Sequence, residues 1–250
     1  MSDVKRNYYG SLCTEMYEIL HEEAPKDELE FYLSYARKED RILEPLCGSG
    51  RFLVPFLERG FDIQGIDNSK EMLGKLKQKS PNAMVLQTDI ETYQAKTYFD
   101  YIFISSGSVS LFTDMQSCKN ILCKMKSLLK KGGKFVFAVD TVKNRCHDDE
   151  DYKVTVSAIT KEKCKLVLKT KNYYDEITQT QFSPGIYELY NNTKLLKREK
   201  MDFQTHLYKL GEMEKILEEV GFTNIIVYSS FAKEIARIND ADMFLYECSF

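Results

Sequence analysis

The sequence predicts an α/β protein built on a doubly wound, mostly parallel sheet of seven strands, with an antiparallel β cap inserted late in the chain. Three observations carry this expectation. Between residues 41 and 140, short apolar runs alternate with segments whose apolar residues recur at helical spacing. The run at 101–105 is apolar until its last residue, as a strand covered on both faces must be. After Asp140 the alternation stops, and residues 152–208 follow a period of two instead.

Taken in order, residues 8–36 read as two helices. Tyr9, Leu12, Met16, Ile19 and Leu20 share one face, Ala24-Pro25 interrupts, and Leu29, Tyr32, Leu33 and Ala36 resume. Ile42-Leu43 is a first strand, followed by a glycine loop and a helix over 52–59 that Gly60 stops. Residues 62–66 form the second strand, with Asn68 or Ser69 placed to cap a helix running to about Lys79. Strands follow at 83–87 and 101–105, then an amphipathic helix over 114–129 ending at Lys131-Gly132-Gly133, then a strand at 134–139. The later strands are expected at 154–156, 165–174, 185–190 and 194–203, with Asn191-Asn192 as the turn of a hairpin. A helix at 209–220 closed by Gly221 and strands at 225–228 and 243–248 complete the sheet. The expected units are residues 1–40 as helices over the active site, 41–150 with 209–250 as the main domain, and 151–208 as a cap over the sheet's open edge.

Composition narrows the function classes. The net charge of −3, with signs interspersed, argues against a nucleic-acid partner, which selects a basic face. Seven cysteines without a Cys-x-x-Cys pair, and only three histidines, point to reduced thiols and no zinc site. No stretch has the length of a membrane span, and MSDVKRNYYG lacks the apolar core of a signal peptide. A cytoplasmic monomer or homodimer, without nucleic-acid or membrane partners, is expected.

The informative segment is Glu44-Pro45-Leu46-Cys47-Gly48-Ser49-Gly50-Arg51-Phe52, where a strand runs through glycines into a helix. Such a turn lets backbone approach a ligand, and the helix start offers unpaired N–H groups. Asp67 ends the second strand, seventeen residues beyond Gly50, where a carboxylate can accept from a ribose diol. Asp89 follows the third strand and lines the same expected cleft. A nicotinamide site would need a third glycine three residues after Gly50, and Leu53 stands there. Cys47 reads as a small buried filler.

Five segments in this order resemble the motif series of class I S-adenosylmethionine-dependent methyltransferases: residues 44–50, Gly65-Ile66-Asp67-Asn68-Ser69 with Met72, Thr88-Asp89-Ile90, residues 99–103, and residues 128–133. One departure is Leu46, where the family usually has glycine. The resemblance implies a Rossmann-like methyltransferase sheet with S-adenosylmethionine as cofactor. It further implies Glu44 near the methionyl ammonium, Gly48 and Gly50 around the methionine and ribose, and Asp67 on the ribose hydroxyls. Asn68, Met72, Asp89 and Ile90 would surround the adenine, and Ser105, Ser106 and Gly107 would lie close to the sulfonium.

Methyl transfer from a sulfonium requires an aligned acceptor and exclusion of water more than a catalytic side chain. No catalytic residue is therefore assigned, with His206 the one candidate base. Candidates for the acceptor pocket are Tyr8 and Tyr9 from the N-terminal helix and Tyr173 and Tyr187 from the cap, with Tyr174 and Tyr190 also available and Tyr17 read as packing. The expected acceptor is a small molecule methylated on nitrogen or oxygen. RNA or protein methylation, or cofactor binding without turnover, are the alternatives.

Overall fold

The computed structural model describes residues 6–250; residues 1–5, the start of both the expected 1–40 unit and the segment read as lacking a targeting signal, lie outside the described residues. Two helices, α1 (Ser11–Leu20) and α2 (Lys26–Leu33), come first, with Pro25 as the N-cap of the second. The alternating region then gives β1 (Arg41–Pro45), α3 (Leu53–Glu58), β2 (Asp62–Asp67), α4 (Lys70–Lys79) and β3 (Met84–Gln87). It continues through β4 (Phe99–Ile104), α5 (Met115–Leu128) and β5 (Leu129–Asp140). Ser69 caps α4 by accepting the Met72 N–H at 3.1 Å, and Asp114 caps α5 by accepting that of Ser117 at 2.8 Å.

The helix ends at Leu128, within a residue of the expected 114–129, but the strand expected from Lys134 begins at Leu129, which is already extended and paired with Phe99. The Lys-Gly-Gly segment is a bulge inside β5, where pairing with β4 shifts register before resuming at Tyr101 opposite Lys134. Positive φ at Gly132 accommodates the extra residues.

The insertion consists of β6 (Lys153–Ile159), β7 (Lys165–Thr170), β8 (Tyr173–Asp175), β9 (Thr180–Phe182), β10 (Gly185–Asn191), β11 (Lys194–Met201) and β12 (Gln204–His206). It is not one layer. A four-stranded sheet has the order β11-β10-β7-β6, and a separate three-stranded sheet has the order β12-β9-β8. The expected strand at 165–174 is split between the two, and β9 and β12 are too short for their period to register. The chain returns through α6 (Glu212–Val220), ended by left-handed Gly221, to β13 (Thr223–Tyr228) and β14 (Met243–Ser249).

The main sheet has the order β13-β14-β5-β4-β1-β2-β3, parallel through β1–β5, with β14 antiparallel to both β5 and β13. Alternating side chains feed two cores. Leu43, Ile66, Ile102 and Phe137 pack with Ile121, Met125 and Leu217 from α5 and α6. Ile42, Ile63, Phe103 and Ala138 pack with Tyr32, Phe56 and Leu76 from α2, α3 and α4. Helices on both faces make the sheet doubly wound, as expected.

The cap does not run along an outer strand. α1 packs on β10 and β11, and β12 lies against the 3-10 turn Val109–Leu111 that follows β4. The Tyr208 N–H also bonds the Asp140 carbonyl at the end of β5, at 2.9 Å. Cap and α1 therefore stand together over the carboxyl ends of the central strands. Sequence order reverses beside β1, and open α/β sheets form ligand crevices at such a switch point. All seven cysteines are free, and no helix among the described residues is long and apolar enough to cross a membrane.

Candidate active site

A cavity of about 520 Å³ opens at that switch point. Its floor is the turn between β1 and α3. The Gly48 N–H donates to Asp67 Oδ2 at 2.9 Å, while the Ser69 N–H donates to Oδ1 at 2.8 Å. Asp67 thus ties the glycine turn to the start of α4. A carboxylate has about four acceptor sites, so these two bonds do not exhaust its capacity. Burial raises the Asp67 pKa, and the backbone donors of Ser69, Gly48 and Asn68 oppose that rise.

Leu46 explains why this loop position favours glycine: its φ is +57°, in the left-handed region. The leucine keeps the turn's path at a backbone cost of about 1 kcal/mol, and its side chain lines the cavity without closing it. The two loop glycines divide their roles. Gly48 faces the cavity, and a Cβ there would meet nothing nearer than the Met72 Cε at 4.0 Å. Gly50 faces inward. At φ +82°, a Cβ would lie 2.8 Å from Leu76 Cγ and 3.0 Å from Val54, so this glycine brings α3 against α4 and touches no ligand space. Leu53, in the place of a third glycine, packs against Gly65 on β2, where a Cβ would come within 2.6 Å of both Leu53 and Cys47. Cys47 is a buried filler here, as expected.

Of the expected cofactor residues, Gly48, Asp67, Asn68, Met72, Asp89, Ile90 and Ser106 line this cavity. Glu44, Gly50 and Ser105 do not. Glu44 is 1% exposed, with Oε1 accepting weakly from the Ser105 hydroxyl at 3.4 Å and Oε2 lacking any partner. Burial pushes its pKa well up, against the lowering influence of Ser105 and Arg51.

Arg51 is the main residue the sequence reading missed. It lines the cavity, bonds the Ser106 hydroxyl and lies 4.0 Å from Glu28, leaving its buried Nε unpartnered. Glu28 comes from α2, is buried, and accepts the Ser106 N–H at 2.7 Å. A signal did exist. A cation at the start of a helix opposes the dipole, so an arginine directly after the glycine loop invites a functional reason.

The aromatic candidates separate. Tyr9 lines the cavity, and so does Tyr17, which the sequence reading had assigned to packing. Tyr8 lies outside the lining and donates to Glu71 Oε2 at 2.8 Å. Tyr173 stacks on Phe182 within the small sheet, at 4.7 Å between centroids, and Tyr190 donates to Glu188. Tyr174 lies under Arg145. Tyr187 faces a second chamber instead. His206 is buried against Tyr208 and lines neither space; burial lowers its pKa. Its position does not suit a base.

A strap formed by residues 6–9 crosses the cavity. Asn7 donates to the Leu111 and Gln204 carbonyls, each at 2.9 Å, and accepts from the Gln204 N–H at 2.8 Å. At the other end, the Ser69 hydroxyl donates to the Tyr9 carbonyl at 2.7 Å. The strap spans cap and α4.

Residues 42–133 match the family model described as a methyltransferase domain. The malonyl-[acyl-carrier protein] O-methyltransferase 1 of Ilyobacter polytropus is 33% identical over 117 residues, covering 45% of this chain and 42% of that protein. The chain spans about half the length of the curated relatives it first matches. Among solved structures, an S-adenosylmethionine-dependent methyltransferase from Clostridium acetobutylicum aligns with a TM-score of 0.74 at 15% identity, over 94% of this chain and 96% of that one. The sugar N-methyltransferase KedS8 from Streptoalloteichus aligns at 0.71 and 16%, over 98% of each chain. At these identities the structural matches establish the fold.

Proposed function

We propose that the chain is a class I methyltransferase that transfers a methyl group from S-adenosylmethionine to a nitrogen or oxygen of a small molecule by in-line displacement, a reading supported by the methyltransferase-domain match over residues 42–133. The observation that carries this reading is the union of Gly48 and Asp67 in one cavity, with acceptor sites of Asp67 left for a ribose diol.

The residues fit the cofactor's other parts. An amino-acid zwitterion presents one anion and one cation. Arg51 offers a cavity-lining guanidinium with an unpartnered Nε, and Glu44, which does not itself line the cavity, holds a buried carboxylate with an unpartnered oxygen. Met72 and Ile90 give apolar faces for a purine, with Asn68 and Asp89 as polar groups at the same wall.

A sulfonium supplies an already activated methyl group. The chain's task is to hold both reactants in line and keep water out. Asp67 fixes the glycine turn, and Arg51, Ser106, Tyr9 and Tyr17 line the cavity around it. A neutral amine acceptor attacks through its free lone pair and loses its proton after transfer, whereas a hydroxyl acceptor would have to give up its proton to a base or to water.

Incubating the purified chain with methyl-labelled S-adenosylmethionine and a small-metabolite extract tests the reading. Label should pass to molecules smaller than the chain. Transfer only to RNA or protein fractions, or none at all with cofactor bound, would reject it.

A further inference from the structure

A second chamber, of about 230 Å³, lies between α1 and the four-stranded cap sheet. Cys13 and Met16 from α1 face Leu168, Tyr187, Met201 and Phe203 from the cap across it. Among the described residues, none lining this chamber is Lys, Arg, Asp or Glu. The cofactor cavity differs sharply, with Arg6, Arg51, Asp67, Asp89 and Asp114 in its walls. Tyr9, Tyr17 and His21 line both spaces and form the partition between them. Tyr17 and His21 pack ring against ring at 4.9 Å.

Resting on the methyltransferase reading above, we propose that this chamber receives the body of the methyl acceptor, and that the acceptor is an uncharged, apolar molecule about the size of one ring. An apolar cavity of about 150 Å³ holds benzene, so this one takes a ring with a short substituent. A phosphate or carboxylate inside it would be desolvated without a cation partner, at a cost of several kcal/mol. A diphosphate placed in the chamber would meet no Lys or Arg side chain. The polar groups available are hydroxyls of Thr170 and Ser183, suited to orienting a neutral substituent. The Cys13 thiol does not compete as a nucleophile, because burial pushes its pKa up to about 12 and it points its Sγ at the Met201 sulfur, 3.4 Å away.

Three methionines report on the two spaces separately. Met72 lines the cofactor cavity, while Met16 and Met201 line the chamber. The full chain would be labelled with carbon-13 at its methionine methyl groups, with signals assigned by Met16→Leu, Met72→Leu and Met201→Leu. S-adenosylhomocysteine should shift Met72, and 4-fluorophenol added afterwards should shift Met16 and Met201. Glucosamine 6-phosphate should leave both chamber signals unmoved. Leu168→Trp, which fills the chamber, should weaken 4-fluorophenol binding about tenfold or more and leave S-adenosylhomocysteine affinity unchanged. A silent Met72 would overturn the methyltransferase reading itself. A responsive Met72 with Met16 and Met201 silent to 4-fluorophenol, or responsive to the sugar phosphate, would overturn the chamber assignment alone. The wild-type methionine shifts decide the matter even if the tryptophan variant does not fold.

Discussion

Glu44→Gln should stabilise the protein without cofactor while weakening cofactor binding, and the stabilisation should grow with pH. The carboxylate is fully enclosed, holds one weak hydrogen bond from Ser105 and leaves Oε2 unpartnered. Burial raises its pKa above the ordinary 4.5. An acid with a raised folded-state pKa binds its proton more tightly when folded. Its stability contribution is complete below the unfolded value and is lost as pH rises through the folded one. Glutamine has no proton to lose. Between those two values the variant should gain on wild type by up to about 1.4 kcal/mol per pH unit. For a chain of this size that is a melting difference of about 3–6 °C per unit, using about 2–4 °C per kcal/mol. Thermal melts from pH 5 to 8 measure it directly. Titration of S-adenosylmethionine in two buffers of different ionisation enthalpy should also reveal proton release on binding to wild type and less to the variant. A melting difference flat across pH, together with unchanged affinity, would refute the reasoning.

Gly50→Ala should destabilise the chain by about 2–4 kcal/mol in denaturant melts, because it combines a left-handed backbone with a Cβ 2.8 Å from Leu76. Asn7→Ala removes three hydrogen bonds that hold the strap to the cap and to the turn after β4. Stopped-flow measurement should find faster cofactor release by about tenfold, with overall stability lowered by about 1–3 kcal/mol. His206→Gln should leave the pH profile of turnover unchanged, since His206 lines neither space. Loss of a limb near neutral pH would restore it as a base.

The main sheet was legible because its strands are short, apolar and punctuated. Tyr101 through Ile104 are buried without exception, and Ser69, Asp114 and Gly221 mark helix ends by their own chemistry. The late start expected for β5 came from reading the glycines of Lys131-Gly132-Gly133 as a helix stop when they serve a bulge. In the cap, β9 and β12 span three residues each, and such segments carry too few residues to display a period. β12 lies against the turn after β4, and β9 pairs between β12 and β8.

The site was half legible. Asp67 and Gly48 announce themselves through the loop and the strand end. Tyr17 does not, because its helical spacing is the same whether the face it shares packs on core or on a cavity. Glu28 and Arg51 lie twenty-three residues apart and meet only when α2 docks beside the glycine loop. Nothing local in the sequence specifies that pairing. Leu46 is a case where the sequence departs from pattern and the backbone does not: the leucine adopts the left-handed conformation that glycine would take freely.

The most direct test is calorimetric titration of S-adenosylmethionine into wild-type chain and Asp67→Ala. Losing the charged acceptor for the ribose, at about 1.5–3 kcal/mol for each hydrogen bond, should weaken binding at least about tenfold, with a folded variant verified by its circular dichroism. Equal affinity in the two proteins would contradict the assignment of this carboxylate, and with it the nucleoside pocket.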